Sequence, residues 1–296
     1  TTFSFWEKRI LNFRNLCLRF FMSDASSTSD LSARVKTGFP LAAGIAILLF
    51  TPTFVIGLLV LAIAFIGAQE LTGMLAKGND DENPGILPEW LLPGTAVLMG
   101  LGALAGESGL HGALLISAVG WIFYELVFTP KSELAKLSAL GFGLFGMVWA
   151  VWSVLHITLI KALPEGTALL FYLLLVISFS DIFAYFGGKR FGKSLLAPNI
   201  SPKKTWEGSF SGVIGGGLVG AVFGELTMSM FWLYGLILAM LLAVVGQLGD
   251  LVESKIKRLC NVKDSGTLLP GHGGILDRID GHMLAAPVFY YLLQLG

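Results

Sequence analysis

Eight uncharged stretches set the terms on which this chain can fold: residues 37–69, 90–106, 108–124, 137–160, 166–180, 208–224, 226–249 and 281–296. A helix that crosses a bilayer needs about 17–25 mostly apolar residues, so most of these runs make one span each. The run at 37–69 is too long for one comfortable helix and carries Thr51-Pro52-Thr53 at its middle. Proline removes a backbone donor and breaks a helix, so this run is expected to form two short helices joined by a turn. The expected fold is all-α, a polytopic integral membrane bundle of nine transmembrane helices. Composition agrees, with 54% hydrophobic residues, 14% charged and a mean hydropathy of +0.75. Soluble domains carry about 25% charged residues.

The charges sum to zero but are unevenly placed. The loop at 187–207 holds Lys189, Arg190, Lys193, Lys203 and Lys204, and the loop at 250–280 holds Lys255, Lys257, Arg258, Lys263 and Arg278. Two helices separate these loops, so both lie on one side of the membrane. The N-terminal bases Lys8, Arg9, Arg14, Arg19, Arg34 and Lys36 join them there only if 37–69 is a hairpin. The positive-inside rule makes that side cytoplasmic, and this agreement favours nine spans over eight. The expected location is a bacterial inner membrane, with the site facing the cytoplasm.

Residues 1–36 read as a basic interfacial segment and linker, 37–170 as N-terminal spans and 171–296 as a C-terminal catalytic region. In residues 1–22, Arg14 and Arg19 interrupt any apolar core, which argues against a signal peptide. Trp6, Ile10, Phe13, Cys17 and Phe20 suit one apolar face of an interfacial helix, and residues 23–32 suit a flexible linker. Cys17 and Cys260 have no metal or redox spacing and read as incidental thiols.

The densest chemistry lies between Asp250 and Asp280. Bases Lys257, Arg258 and Lys263 and acids Asp250, Asp264, Asp277 and Asp280 surround the turn Pro270-Gly271-His272-Gly273-Gly274, between two strongly apolar segments. Ionisable groups beside a bilayer core are costly and mark functional sites. Asp250 and Glu253 share a helix face, followed on it by Ser254 and Lys257, and Asp277 and Asp280 share another if the segment after Gly274 is helical. Two such pairs brought together suit a divalent cation, Mg²⁺ when a triphosphate supplies the remaining ligands. The plainer alternative is salt bridging between these acids and their neighbouring bases. The glycines permit close backbone approach to an anion. His272 is read first as a binding or loop-ordering residue and second as a proton-transfer group, because a phosphate monoester is already an oxyanion at neutral pH.

Upstream, Asp181 follows an uncharged run, and Ser201-Pro202-Lys203-Lys204-Thr205 sets two bases beside hydroxyls able to bond phosphate. Gly208, Gly212, Gly216, Gly220 and Gly224 then recur every four residues along one expected helix. Such a row favours close helix packing, with a groove for lipid as the alternative.

The pattern Ser254, Lys257-Arg258, Lys263-Asp264, Pro270 through Gly274, Asp277-Arg278 and Asp280 closely resembles the signature of the phosphatidate cytidylyltransferase (CDP-diacylglycerol synthase) family. The block 180–208, with Asp181, Ala184-Tyr185-Phe186 and Ser201 to Lys204, is similar to the family's second recurring region. Residues 1–170 match only as apolar spans. The chain departs at Gly281, where many members carry Ser. The resemblance implies transfer of CMP from CTP to phosphatidic acid, giving CDP-diacylglycerol and pyrophosphate. It implies Mg²⁺ on Asp250 and Asp277, with Asp280 and Glu253 as outer-shell or second-cation partners. It also implies a catalytic set of Asp250, Lys257, Arg258, Lys263, Asp264, Asp277 and Asp280. Substrate would be bound by Asp181, Lys193, Ser201, Lys203, Lys204, Ser254, His272, Gly273, Gly274 and Arg278. The partners implied are CTP, phosphatidic acid and membrane lipids, with no nucleic acid, and a homodimer stays open. A CTP-dependent polyprenol or phytol kinase, an archaeal-type CDP-lipid synthase, and a transporter are the rival readings. A transporter should show interrupted helices in paired halves, and no internal repeat is visible.

Overall fold

In hydrocarbon a chain must satisfy its own backbone groups, and this one does so by helices. The computed structural model describes residues 49–77, 88–128, 133–268 and 273–295. Helix α1 spans Thr53–Lys77, α2 Leu91–Leu104 and α3 Glu107–Val127. Helix α4, Glu133–Gly146, runs through a π-helical turn at Met147–Trp152 into α5, Ser153–Ala162, as one rod. Then follow α6 (Gly166–Phe191), strands β1 (Leu195–Ala197) and β2 (Ser201–Thr205), α7 (Trp206–Met228), α8 (Trp232–Leu259) and α9 (Leu276–Leu295). Among the described residues six helical rods are long and apolar enough to cross a membrane, and the apolar α2 is shorter, with 14 residues.

Two expectations change. The helix after Pro52 is 25 residues long rather than short, because Glu70, which ends the uncharged run, is bonded inside the protein and does not stop it. Pro52 still marks its start, with Val55 N–H and Ile56 N–H donating to Pro52 O at 3.0 and 3.3 Å. The first half of the expected hairpin, and residues 1–36, lie outside the described residues. The 187–207 segment is not simply a loop, since β1 and β2 pair antiparallel within it, Leu195 opposite Thr205 and Ala197 opposite Ser201.

The glycine row on α7 packs against α6. A Cβ on Gly208 would lie 2.7 Å from Ala184 O, one on Gly212 2.7 Å from Ser180 O, and one on Gly216 3.0 Å from Val176 O. Each glycine therefore meets the next turn of the α6 backbone, and the row is filled by protein. Helices α8 and α9 meet in the same way, a Cβ on Gly249 falling 2.4 Å from Asp280 O. Tyr172 ties three helices, stacking on Phe289 at 5.5 Å and donating its hydroxyl to Gly235 O at 2.7 Å. These close approaches bring the C-terminal ends of α6 and α8, the hairpin and the N-terminal ends of α7 and α9 to one end of the bundle.

Candidate active site

The hairpin is fixed first. Thr205 caps α7 by accepting from Gly208 N–H at 3.2 Å, and Trp206 N–H donates to Ser194 O at 2.9 Å. Glu207 accepts from the N–H groups of Lys193 (3.1 Å) and Ser194 (3.2 Å). Gln247 of α8 locks the helices beneath, donating to Ser180 Oγ on α6 (3.3 Å) and Ser209 O on α7 (3.2 Å), while Ser209 Oγ donates to its Oε1. Between these elements lies a cavity of about 450 Å³ whose lining includes Asp181, Tyr185, Ser201, Lys203, Lys204 and Asp250.

Asp250 is the hinge of this cavity. Its Oδ2 accepts from Lys204 Nζ and its Oδ1 from Ser254 Oγ at 3.3 Å. Asp181 and Asp280 lie near enough for their charges and that of Asp250 to act on one another. Three acids from α6, α8 and α9 thus gather beside the two bases of β2.

A second network adjoins the first. Lys257 Nζ bridges Glu253 Oε2 (2.6 Å) and Asp277 Oδ1 (2.7 Å). Asp277 Oδ2 accepts from Gly274 N–H (2.8 Å), Ser265 N–H (2.9 Å) and Ser265 Oγ (3.0 Å). Asp277 stands ahead of the apolar run that begins at Gly281. Burial works to raise its carboxyl, but the bonds from Lys257, Gly274 and Ser265 and the charge of Lys257 outweigh it and hold the group down at about 2. Gly273, at φ +81°, provides the left-handed turn that aims Gly274 N–H at this carboxylate.

The expected residues therefore divide. Asp181, Ser201, Lys203, Lys204 and Asp250 share the cavity wall, and Ser254, Glu253, Lys257, Asp277 and Asp280 stand in the adjoining network. Salt bridges are present: Lys204 with Asp250, and Lys257 with both Asp277 and its helix neighbour Glu253. Arg258 is exposed and donates Nε–H to Ile200 O at 3.3 Å, tying α8 to the hairpin turn. Lys193, Lys263, Asp264 and Arg278 are exposed and do not line the cavity. His272, with Pro270 and Gly271, lies outside the described residues. Glu70, Ser265, Glu207 and Gln247 were not anticipated. Of these only Glu70 carried a signal, as an acid ending a long uncharged run.

Among the described residues no three His, Cys, Asp or Glu side chains form a ready cation cage. Mg²⁺ needs none, since it takes one or two carboxylates and fills its shell with water and substrate phosphates. The buried Glu253 Oε1 has no hydrogen-bond partner among the described residues, an oxygen that a proton or cation would satisfy. The donor set fits an Mg²⁺ shared with phosphates.

Fold and site together define a multi-span membrane protein with a mixed acidic and basic cavity at one end. The Cytidylyltransferase family model matches residues 32–296, and the chain belongs to that family. It is 42% identical over 158 residues to a phosphatidate cytidylyltransferase of Brucella abortus biovar 1, covering 52% of this chain and 57% of the relative. It is 46% identical over 131 residues to one of Bacillus subtilis, covering 44% and 49%. It is 39% identical over 192 residues to one of Pseudomonas aeruginosa, covering 62% and 70%. The chain thus spans little more than half the length of the Brucella relative.

Proposed function

We propose that the chain transfers CMP from CTP to phosphatidic acid, giving CDP-diacylglycerol and pyrophosphate. The observation that carries this reading is the cavity in which Lys203 and Lys204 of the hairpin face Asp181 and Asp250, at one end of an apolar bundle. Such a wall suits a triphosphate and its cation together, and the bundle suits an acceptor held by its acyl chains. A phosphatidate oxygen attacks the α-phosphorus of CTP in line. The new O–P bond forms as the bond to the bridging oxygen breaks, and pyrophosphate leaves with that electron pair. Transfer of this kind depends mainly on positioning and charge neutralisation.

Lys204 and Lys257 hold Asp250 and Asp277 as ion pairs. With CTP bound, these ammonium groups would turn to its phosphates, and Asp250 and Asp277, with Asp280 and Glu253 beside them, would be the residues to hold Mg²⁺. Bound Mg²⁺ would neutralise the phosphate oxygens and orient the leaving pyrophosphate. Asp181 is the second acid of the cavity wall, beside Asp250. The nucleophile is an anion already, so the reading needs no general base.

The finer topology belongs to the same proposal: nine spans with both basic loops cytoplasmic, in a bacterial inner membrane. Cysteines placed at Lys193 and Lys263 should label from the cytoplasmic face only, and opposite sidedness would refute it. The activity is tested with labelled CTP and phosphatidic acid in detergent with Mg²⁺. Label in a CDP-lipid supports the transferase. Label absent from lipid, or phosphate passing to a polyprenol, sinks it.

A further inference from the structure

Glu70, half-buried, lies within α1 beside the buried Leu71 and Met74. A carboxylate there is costly unless its oxygens are bonded. They are bonded, and to the other end of the sequence. Glu70 Oε1 accepts from Ile275 N–H at 2.8 Å, and Oε2 from Leu276 N–H at 3.0 Å and Ser265 Oγ at 3.0 Å. These amides open α9 and would ordinarily be served by a local Ser, Thr or Asp cap. Ile275 cannot serve them. The cap comes from α1, 205 residues away along the chain, and brings negative charge to the positive end of the helix.

The fit is close. A Cβ on Gly266 would fall 2.6 Å from Glu70 Oε1, and one on Gly274 2.5 Å from Oε2. Ser265 Oγ stands 3.0 Å from both Glu70 Oε2 and Asp277 Oδ2, one hydroxyl proton between two carboxylates. The chain of bonds runs from Glu70 through Ser265 to Asp277, and from Asp277 to Lys257.

We infer that Glu70 is a positioning residue: from the N-terminal half it fixes Ser265 and the start of α9 at Ile275 and Leu276, and so the orientation of Asp277 and Lys257. The inference rests on the transferase reading for its catalytic consequence, but the clamp itself is measurable without substrate.

Two readouts on the full-length protein in detergent test it. Glu70→Gln keeps size and one acceptor oxygen but replaces the other by an amide that cannot accept from Leu276 or Ser265. In hydrogen exchange, peptides covering 273–280 should exchange at least about tenfold faster, with α6 and α7 unchanged. In steady state, kcat per folded enzyme should fall about 10–100-fold, with KM for CTP changed far less. Adding Ser265→Ala to Glu70→Gln should cost little more, since both cut one link. Exchange at 273–280 equal to wild type, or an unchanged kcat, would overturn the inference, as would faster exchange spread evenly over all helices. Should Glu70→Gln not fold, Ser265→Ala alone must lower kcat by about tenfold while Ile275 and Leu276 stay protected, and no loss again overturns it. If wild-type protein makes no labelled lipid, the transferase reading fails, and exchange alone decides the clamp.

Discussion

Helices α6 and α7 meet through glycine along their length, whereas in the first five helices bulky side chains fill the core and glycine meets backbone where α2 turns into α3, at Gly102 and Gly109. On α7 the buried positions are Gly208, Gly212, Gly215, Gly216, Gly217, Gly220, Ala221 and Gly224, while Phe210, Ile214, Leu218, Val222 and Leu226 are exposed. This inverts the soluble pattern, as expected where lipid is as apolar as leucine and backbone proximity drives association. In α1 to α5 the largest fully buried side chains are Trp121, Leu71, Met74, Leu92, Met99, Leu110, Met147, Leu155 and Ile160. The difference teaches where precision is kept. Asp181 and Lys204 stand on elements whose backbones touch or are capped, so the cavity wall is set by main chain rather than by long side chains.

The largest effect expected lies in the glycine-packed half. Asp250→Asn removes the charge that Lys204 and Ser254 hold in place and that Mg²⁺ would take. Loss of several kcal/mol of charge stabilisation should lower turnover about a thousandfold in a protein that still elutes as folded. Near-normal turnover at saturating Mg²⁺ would remove Asp250 from the site.

The packing contrast can itself be broken. Gly212→Val places methyl groups against Ser180 O, Gln247 Nε2 and Ala184 Cβ, all within 2.9 Å of the first added carbon. Overpacking should cost about 3 kcal/mol of unfolding free energy in detergent. Gly120→Val on α3, where nothing lies within 4 Å, should cost less than about 1 kcal/mol. Equal costs would mean that α7 does not meet α6 closely at Gly212.

How much of this was legible follows the same division. The helical class, the helix start after Pro52 and the meeting of the two charged segments followed from uncharged runs, proline chemistry and motif spacing. The glycine period of four named the α6-facing side of α7 before any partner was known. Three things were not legible. The hairpin is short and contains Pro202, so its five-residue strand has no alternating pattern to read. Which base pairs with which acid depends on contacts as remote as Lys204 with Asp250, and spacing along one helix says nothing about those. Glu70 and Ser265 act across the whole sequence, and a lone acid at the end of an apolar run looks like a span boundary until α9 is seen beneath it.

A smaller effect tests the bases alone. Lys203→Ala with Lys204→Ala removes two charge-assisted contacts, each worth about 1.5 kcal/mol at the low end of their range, so turnover should drop roughly a hundredfold. Part of this loss should return at high Mg²⁺ concentration, because Asp250 loses its competing ammonium group. A double variant as active as wild type would leave the hairpin as scaffold only.

The smallest effect is expected at His272, and it separates the transferase from a lipid-alcohol kinase. A phosphate monoester has its second pKa near 6, so at neutral pH phosphatidate attacks as an anion and hands no proton to the protein. An alcohol must lose its proton as it attacks, which calls for a general base in reach. If the acceptor is phosphatidate, His272→Gln should keep measurable turnover, the loss should fall mainly on binding, and no kcat–pH limb should follow an imidazole. The lysine pair should then be the worse variant, since phosphates left unpaired beside a bilayer core cost more than one loop contact. The measurement is kcat against pH for His272→Gln with phosphatidate as acceptor. Complete loss at neutral pH, restored as pH rises or by added imidazole, would make His272 the base. The acceptor that this chemistry needs would then be an alcohol, and the hairpin bases and the acids of α6, α8 and α9 would serve a kinase instead.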